Sequence, residues 1–127
     1  MIAYHTTTRD VRVTVRPIYL DGASDPMEMQ FAFGYSVRID NIGSEEVQLL
    51  RRHWVIQEQN GQLQDIEGEG VVGEQPIIEP GRTHRYVSSC VINSFDGEME
   101  GTYLMQLENG ERFRAIIPRF PLHAAAN

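Results

Sequence analysis

"VQLLRRHWVIQEQNGQLQDIEG", residues 47–68, supports two readings, and the choice between them decides the fold. No Gly or Pro interrupts 44–60, and Val47, Leu50 and Trp54 stand at the i, i+3, i+7 spacing of a helical stripe. Against this, Trp54 and Ile56 alternate into Asn60-Gly61, the dipeptide that best accepts the positive φ values of a type I′ hairpin turn. A lone helix would also break an otherwise continuous series of short strands, so local and global signals agree only if 47–68 is a β-hairpin.

The flanks carry the same period of two. In "VRVTVRPIYL", Val11, Val13 and Val15 fall on one face, with Arg12, Thr14 and Arg16 on the other. After the turn-rich "DGASDP", the run "QFAFGYSVRIDN" sets Phe31, Phe33, Tyr35, Val37 and Ile39 against Ala32, Gly34, Ser36 and Arg38, and "NIGSEE" reads as a loop. Beyond Pro80-Gly81, "RTHRYVSSCVI" alternates His84, Tyr86, Ser88 and Cys90 with Arg85, Val87, Ser89 and Val91. "TYLMQL", "ENGE" and "RFRAII" form another hairpin, Tyr103, Met105 and Leu107 facing Phe113, Ala115 and Ile117. About seven strands with turn signals every 8 to 12 residues predict an all-β, two-sheet antiparallel β-sandwich of the immunoglobulin-like kind. Residues 1–127 are expected to form one domain with a frayed tail, "PLHAAAN", from 121.

Bulk properties narrow the function. A chain of 127 residues buries roughly two thirds of its unfolded surface, enough for one core. Its net charge of −7 opposes phosphate backbones and anionic lipid, so neither nucleic acid nor membrane is an expected partner. Cys90 stands alone and cannot form an internal bridge, which suits a reducing compartment. No apolar run approaches the roughly 20 residues that span a bilayer, and "MIAYHTTTRD" lacks a secretory pattern, so a cytoplasmic location is expected.

One motif invites a specific function. Gly68, Gly70 and Gly73 in "GEGVVG" have the Gly-x-Gly-x-x-Gly spacing that can place a pyrophosphate at a helix N-terminus. Here "EQPIIEPG" follows, whose Pro76 and Pro80 preclude a regular helix. Glu67, Glu69, Glu74 and Glu79 add negative charge, and the chain contains no lysine to answer a phosphate. The glycines are better read as supplying backbone freedom to a bent loop, and no tight nucleotide binding is expected. Gly68, Glu69, Gly70, Val71, Val72, Gly73 and Glu74 are instead the candidate partner-binding loop, with two apolar side chains among acidic ones.

"RRHWVIQEQNGQLQDIEGEGVVGEQPIIEPG", "YVS" at 86–88 and "GEMEGTYLM" at 97–105 resemble the ApaG family, and "VRVTV" and "FAFGYSVRIDN" resemble its opening strands. The resemblance implies a fibronectin type III-like β-sandwich and a small bacterial cytoplasmic protein. It also implies an association with cobalt resistance and magnesium efflux. Similar domains within eukaryotic F-box proteins and a DNA-polymerase-interacting protein look like interaction modules. The family brings no catalytic residue set, so none is transferred.

The remaining chemistry-bearing residues have structural readings. His5, His53, His84 and His123 show no paired ligand spacing, so no metal site is assigned. His53 is expected to hydrogen-bond within a strand beside Trp54, and Trp54 to anchor the core. Cys90 reads as a small buried hydrophobe. Tyr86, just after Pro80-Gly81, reads as a corner tyrosine bonding back to the loop. The expectation is therefore a non-enzymatic, cofactor-free protein–protein interaction module, indirectly linked to magnesium and cobalt homeostasis, with an unidentified protein partner. The alternative is a small-anion (pyrophosphate) or divalent-cation binder using Gly68–Gly73.

Overall fold

The computed structural model describes residues 2–124, and among them the chain forms nine strands. These are β1 (Tyr4–Thr8), β2 (Val11–Tyr19), β3 (Phe31–Asn41), β4 (Val47–Glu58), β5 (Leu63–Glu69), β6 (Ile77–Ile78), β7 (Thr83–Ile92), β8 (Asp96–Leu107) and β9 (Arg112–His123). One sheet has the order β1-β2-β3-β7; the other runs β5-β4-β8-β9, with the two-residue β6 also pairing β4. Every pairing is antiparallel, so the molecule is a two-layer β-sandwich of the fibronectin type III-like kind. Two short 3-10 turns, Asp21–Ala23 and Pro26–Glu28, fill the β2–β3 connection.

The alternating residues build the core. Val11, Val13 and Val15 pair with Asn41, Ile39 and Val37 across β2–β3, which puts the three valines on the face that Phe31, Phe33 and Tyr35 also line. Trp54 lies between the layers, edge-on to Tyr103 at 6.3 Å and to Phe120 at 6.1 Å. Burying an aliphatic or phenyl side chain of this kind contributes about 1.5–3 kcal/mol, which is why one face of each strand suffices to hold the layers together.

β4 settles the opening ambiguity. Its register against β8 shifts between Leu49 and Arg51, a β-bulge that exchanges the two faces. Val47 and Leu49 point inward before the bulge, Trp54 and Ile56 after it. The change of phase is what lets Val47, Leu50 and Trp54 mimic a helical stripe.

Four expectations need correction. The strand count is higher than about seven, because Thr-rich β1 lacks an apolar face and β6 is confined between prolines. The Asn60-Gly61 turn is not type I′: of the two, only Gly61 has positive φ, at 92°. Glu58 and Gln62 instead close a three-residue loop, the Asn60 carboxamide oxygen accepting from the Gln62 amide at 2.9 Å. Tyr86 makes no corner; its hydroxyl meets that of Tyr103 between the sheets. Nor is the chain frayed from 121: Pro121–His123 belong to β9 and Leu122 is fully buried, while residues 125–127 lie outside the described range.

Candidate functional site: the turn at 68–74

The seven residues singled out in the sequence adjoin one another at the end of β5, and their glycines differ in what a Cβ would meet: Gly73 has φ +78° in open space, Gly68 faces a side chain and Gly70 the backbone. Gly68 lies opposite Arg52 across β4–β5, and a Cβ there would come within 2.8 Å of the guanidinium. The Arg52 guanidinium donates to the Glu69 and Gly70 carbonyls, each at 3.0 Å, bracing the exit from the strand. Gly70 has φ +62°, and its Cβ would stand 2.0 Å from the Glu74 carbonyl oxygen. No other residue fits.

Val71 and Glu74 then exchange both backbone bonds, Val71 N–H to Glu74 O at 2.8 Å and Glu74 N–H to Val71 O at 3.0 Å. Between them Val72 and Gly73 have φ 48° and 78°, the two left-handed residues of a type I′ turn. Val71 is 1% exposed and packs into the core; Val72 is 67% exposed at the tip. Among described non-glycine residues with positive φ, Val72 is the one branched at Cβ, the others being Arg9, Asp10 and Met29. A β-branched residue in that region is a genuine outlier.

Three backbone amides of this turn are committed within the fold. The Gly70 amide donates to Leu50 O at 2.9 Å, and the Val71 and Glu74 amides are occupied by the turn itself. Gln75 and Pro76 follow, then β6, so no helix N-terminus adds its dipole. Arg52 is the residue bracing this turn that the sequence reading did not single out. Its signal was the hairpin register, which sets a long side chain opposite a glycine.

The acidic neighbours are distributed along β5. The His53 imidazole Nε2 lies 2.8 Å from an Asp65 carboxylate oxygen and its Nδ1 lies 3.9 Å from Glu67. His53 thus hydrogen-bonds within its sheet, as its position beside Trp54 suggests. Among the described residues no group of three His, Cys, Asp or Glu side chains is placed to hold a metal.

Burial suppresses the ionisation of Cys90, Tyr86 and Tyr103. Burial, with Glu58 nearby, pushes the Cys90 thiol up to about 12, leaving it protonated and unreactive near neutral pH. Burial also raises Tyr86 and Tyr103, whose hydroxyls bond each other, so both stay neutral. Asp40 moves the other way. Burial alone would raise it, but the Thr83 hydroxyl at 2.6 Å and the Arg38 and Arg12 guanidinium groups more than offset that and hold it ionised. Among the described residues no helix is long and apolar enough to cross a membrane.

Comparison with known proteins supplies the family context. A family model described as the ApaG domain matches residues 21–107. The Protein ApaG of Paramagnetospirillum magneticum is 50% identical over 119 residues, covering 94% of this chain and 92% of that protein. Its counterpart in Sinorhizobium fredii is 43% identical over the same length and the same shares of each chain. A crystal structure described as an ApaA protein from Bordetella pertussis is 41% identical, with a TM-score of 0.89 over 93% of this chain and 96% of that one. The C-terminal domain of Wzt, at 10% identity and a TM-score of 0.55 over 98% of this chain and 79% of that one, shares the fold alone.

Proposed function

The chain belongs to the ApaG domain family, and on that premise we propose that it is a non-enzymatic protein–protein interaction module acting in the cytoplasm. Its link to magnesium and cobalt homeostasis runs through the partner and not through a metal held by this chain. One observation carries the reading: an exposed valine stands in left-handed backbone at the tip of a turn closed by both Val71–Glu74 backbone bonds. Strain of this kind costs about 1–3 kcal/mol and persists where the surroundings over-determine it, as buried Val71, Gly70 and Arg52 do here. A rigid apolar knob has little ordering entropy to lose on docking, which favours recognition by another protein surface.

The test is affinity capture from the source cell with wild-type protein and with Val72→Asp, which keeps the turn and removes the apolar contact. Wild type retaining a partner that Val72→Asp loses supports the reading. A cobalt or magnesium dissociation constant below about 10 μM at physiological salt, abolished by replacing Glu67, Glu69 and Glu74, would instead install the cation-binding alternative.

A further inference from the structure

The two edges of the four-stranded sheet differ. β1 is tied to β9 by side chains, the Thr6 hydroxyl donating to Ile116 O at 2.6 Å and the Ile116 amide donating to the Thr8 hydroxyl at 3.1 Å. No strand among the described residues pairs with the far side of β7. Which of its backbone groups face outward follows from the register. Ala32 is opposite Val91, yet the Ala32 amide bonds Ser24 Oγ and its carbonyl bonds the Leu20 amide, both away from β7. Val91 O likewise turns away from β3, to the Gln64 carboxamide at 3.2 Å. Alternation then directs the N–H and C=O groups of Arg85, Val87 and Ser89 to the open edge.

The same residues place side chains on the sheet's outer face, and that face has a marked charge. Its strands present Arg12, Arg16, Arg38 and Arg85, with Asp40 the one carboxylate among them, in a chain whose net charge is −7. Asp40 is shared by Arg12 and Arg38. Arg85 lies directly across from Arg38, a like-charge cross-strand pair that destabilises an isolated sheet. Thr14, Arg16, Ser36, Arg38, Arg85 and Val87 line a depression of about 390 Å³ beside this edge. Val87 is 70% exposed and stands two residues along from Arg85.

We propose that β7 receives an extended segment of a partner protein as an added strand, with a carboxylate over Arg85 and Arg38 and an apolar side chain beside Val87. Backbone bonds to Arg85, Val87 and Ser89 would supply affinity, and the arginine–valine alternation would read an acidic–x–apolar pattern of matching period. Charge complementarity selects this occupant over a second copy, because two β7 edges meeting would bring arginine rows together. The proposal rests on the reading that the chain binds proteins, but it uses a surface separate from the Val72 turn.

The test is titration of the full chain with a short synthetic peptide of the repeat Glu-Ser-Val-Ser, whose Glu and Val side chains share one strand face, read by backbone amide chemical shifts and fluorescence anisotropy. Saturable shifts at Arg85, Val87 and Ser89 are expected. They should be lost when the peptide's edge-facing amides are N-methylated, and absent with a Lys–Val counterpart. Arg85→Glu should weaken Glu–Val binding by about tenfold or more, and Arg85→Gln by less, both with wild-type circular dichroism. Val72→Asp should leave the peptide affinity unchanged. If the peptide fails while Val72-dependent capture persists, the edge proposal alone is overturned. It is also overturned if N-methylation has no effect, if inorganic pyrophosphate reproduces the same shifts, or if concentration-dependent self-association accounts for the protection of the edge.

Discussion

The two turns that bracket β5 solve the same geometric problem with opposite chemistry. At the β4–β5 turn, Gly61 takes the left-handed position at φ 92°, open space surrounds it, and the Asn60 side chain caps the loop. Past the other end of the strand, a valine takes φ 48° and Gly70, two residues before it, is walled in by the Glu74 carbonyl. The first turn uses the residues such turns favour. The second breaks the rule at an exposed position, and a local violation held in place by its surroundings is where a functional constraint is expected. Substitution separates the two.

Gly70→Ala should have the largest effect, because it adds both a prohibited φ and a Cβ that no side-chain movement can accommodate. A loss of about 3 kcal/mol or more in urea unfolding is expected. Gly61→Ala meets nothing within 4 Å and incurs only the backbone term, about 1 kcal/mol. Equal costs would mean that the Glu74 approach is not a real constraint.

Val72→Asn should move stability the other way. Asparagine tolerates left-handed backbone and Val72 contributes little burial, so a gain of about 0.5–1 kcal/mol is expected, with partner capture reduced. A loss of stability would mean that Val72 is packed and not presented, and would remove the basis for reading this turn as a docking knob.

The contrast between the turns also marks where the sequence could be read. Val11–Val15 was legible because one buried face imposes a period of two, and Phe31–Ile39 because its large apolar residues recur at that period, although Ala32 and Gly34 between them are buried too. β1 was not, since Tyr4, Thr6 and Thr8 are only half buried and hold to β9 through hydroxyls. The β4 bulge was invisible because an inserted residue leaves only a broken alternation, and that break also looks helical. At the candidate turn Gly70 and Gly73 have the left-handed backbone that a bent loop needs, whereas Gly68 lies within β5. The left-handed φ of Val72 could not be found, because it depends on the closure of the Val71–Glu74 bridge, whereas the Arg52 brace follows from the β4–β5 register, which was not read to the residue. Tyr86 was misassigned for a related reason: strand periodicity gives its face, and only the second sheet reveals Tyr103 as its partner.

The smallest effect concerns how each turn opens, and pH resolves it. Asp40, far from both turns in the other sheet, is held ionised by Thr83, Arg38 and Arg12, its folded pKa below the ordinary 3.8. A depressed carboxylate pKa contributes stability that is present above the unfolded value and lost as pH falls through the folded one. Global stability should therefore decline below about pH 4, and less steeply in Asp40→Asn, which has no proton to take up. Amide exchange that requires global unfolding must follow that decline, whereas exchange through local opening need not. The Val71 amide, bonded to Glu74 O beneath a buried side chain, belongs to the first class; the Gly61 amide, in an exposed loop, belongs to the second. Protection at Val71 relative to Gly61 should shrink in acid for wild type and shrink less for Asp40→Asn. If Val71 instead exchanges as freely as Gly61 at neutral pH, the 68–74 turn opens locally and cannot hold Val72 as a rigid contact.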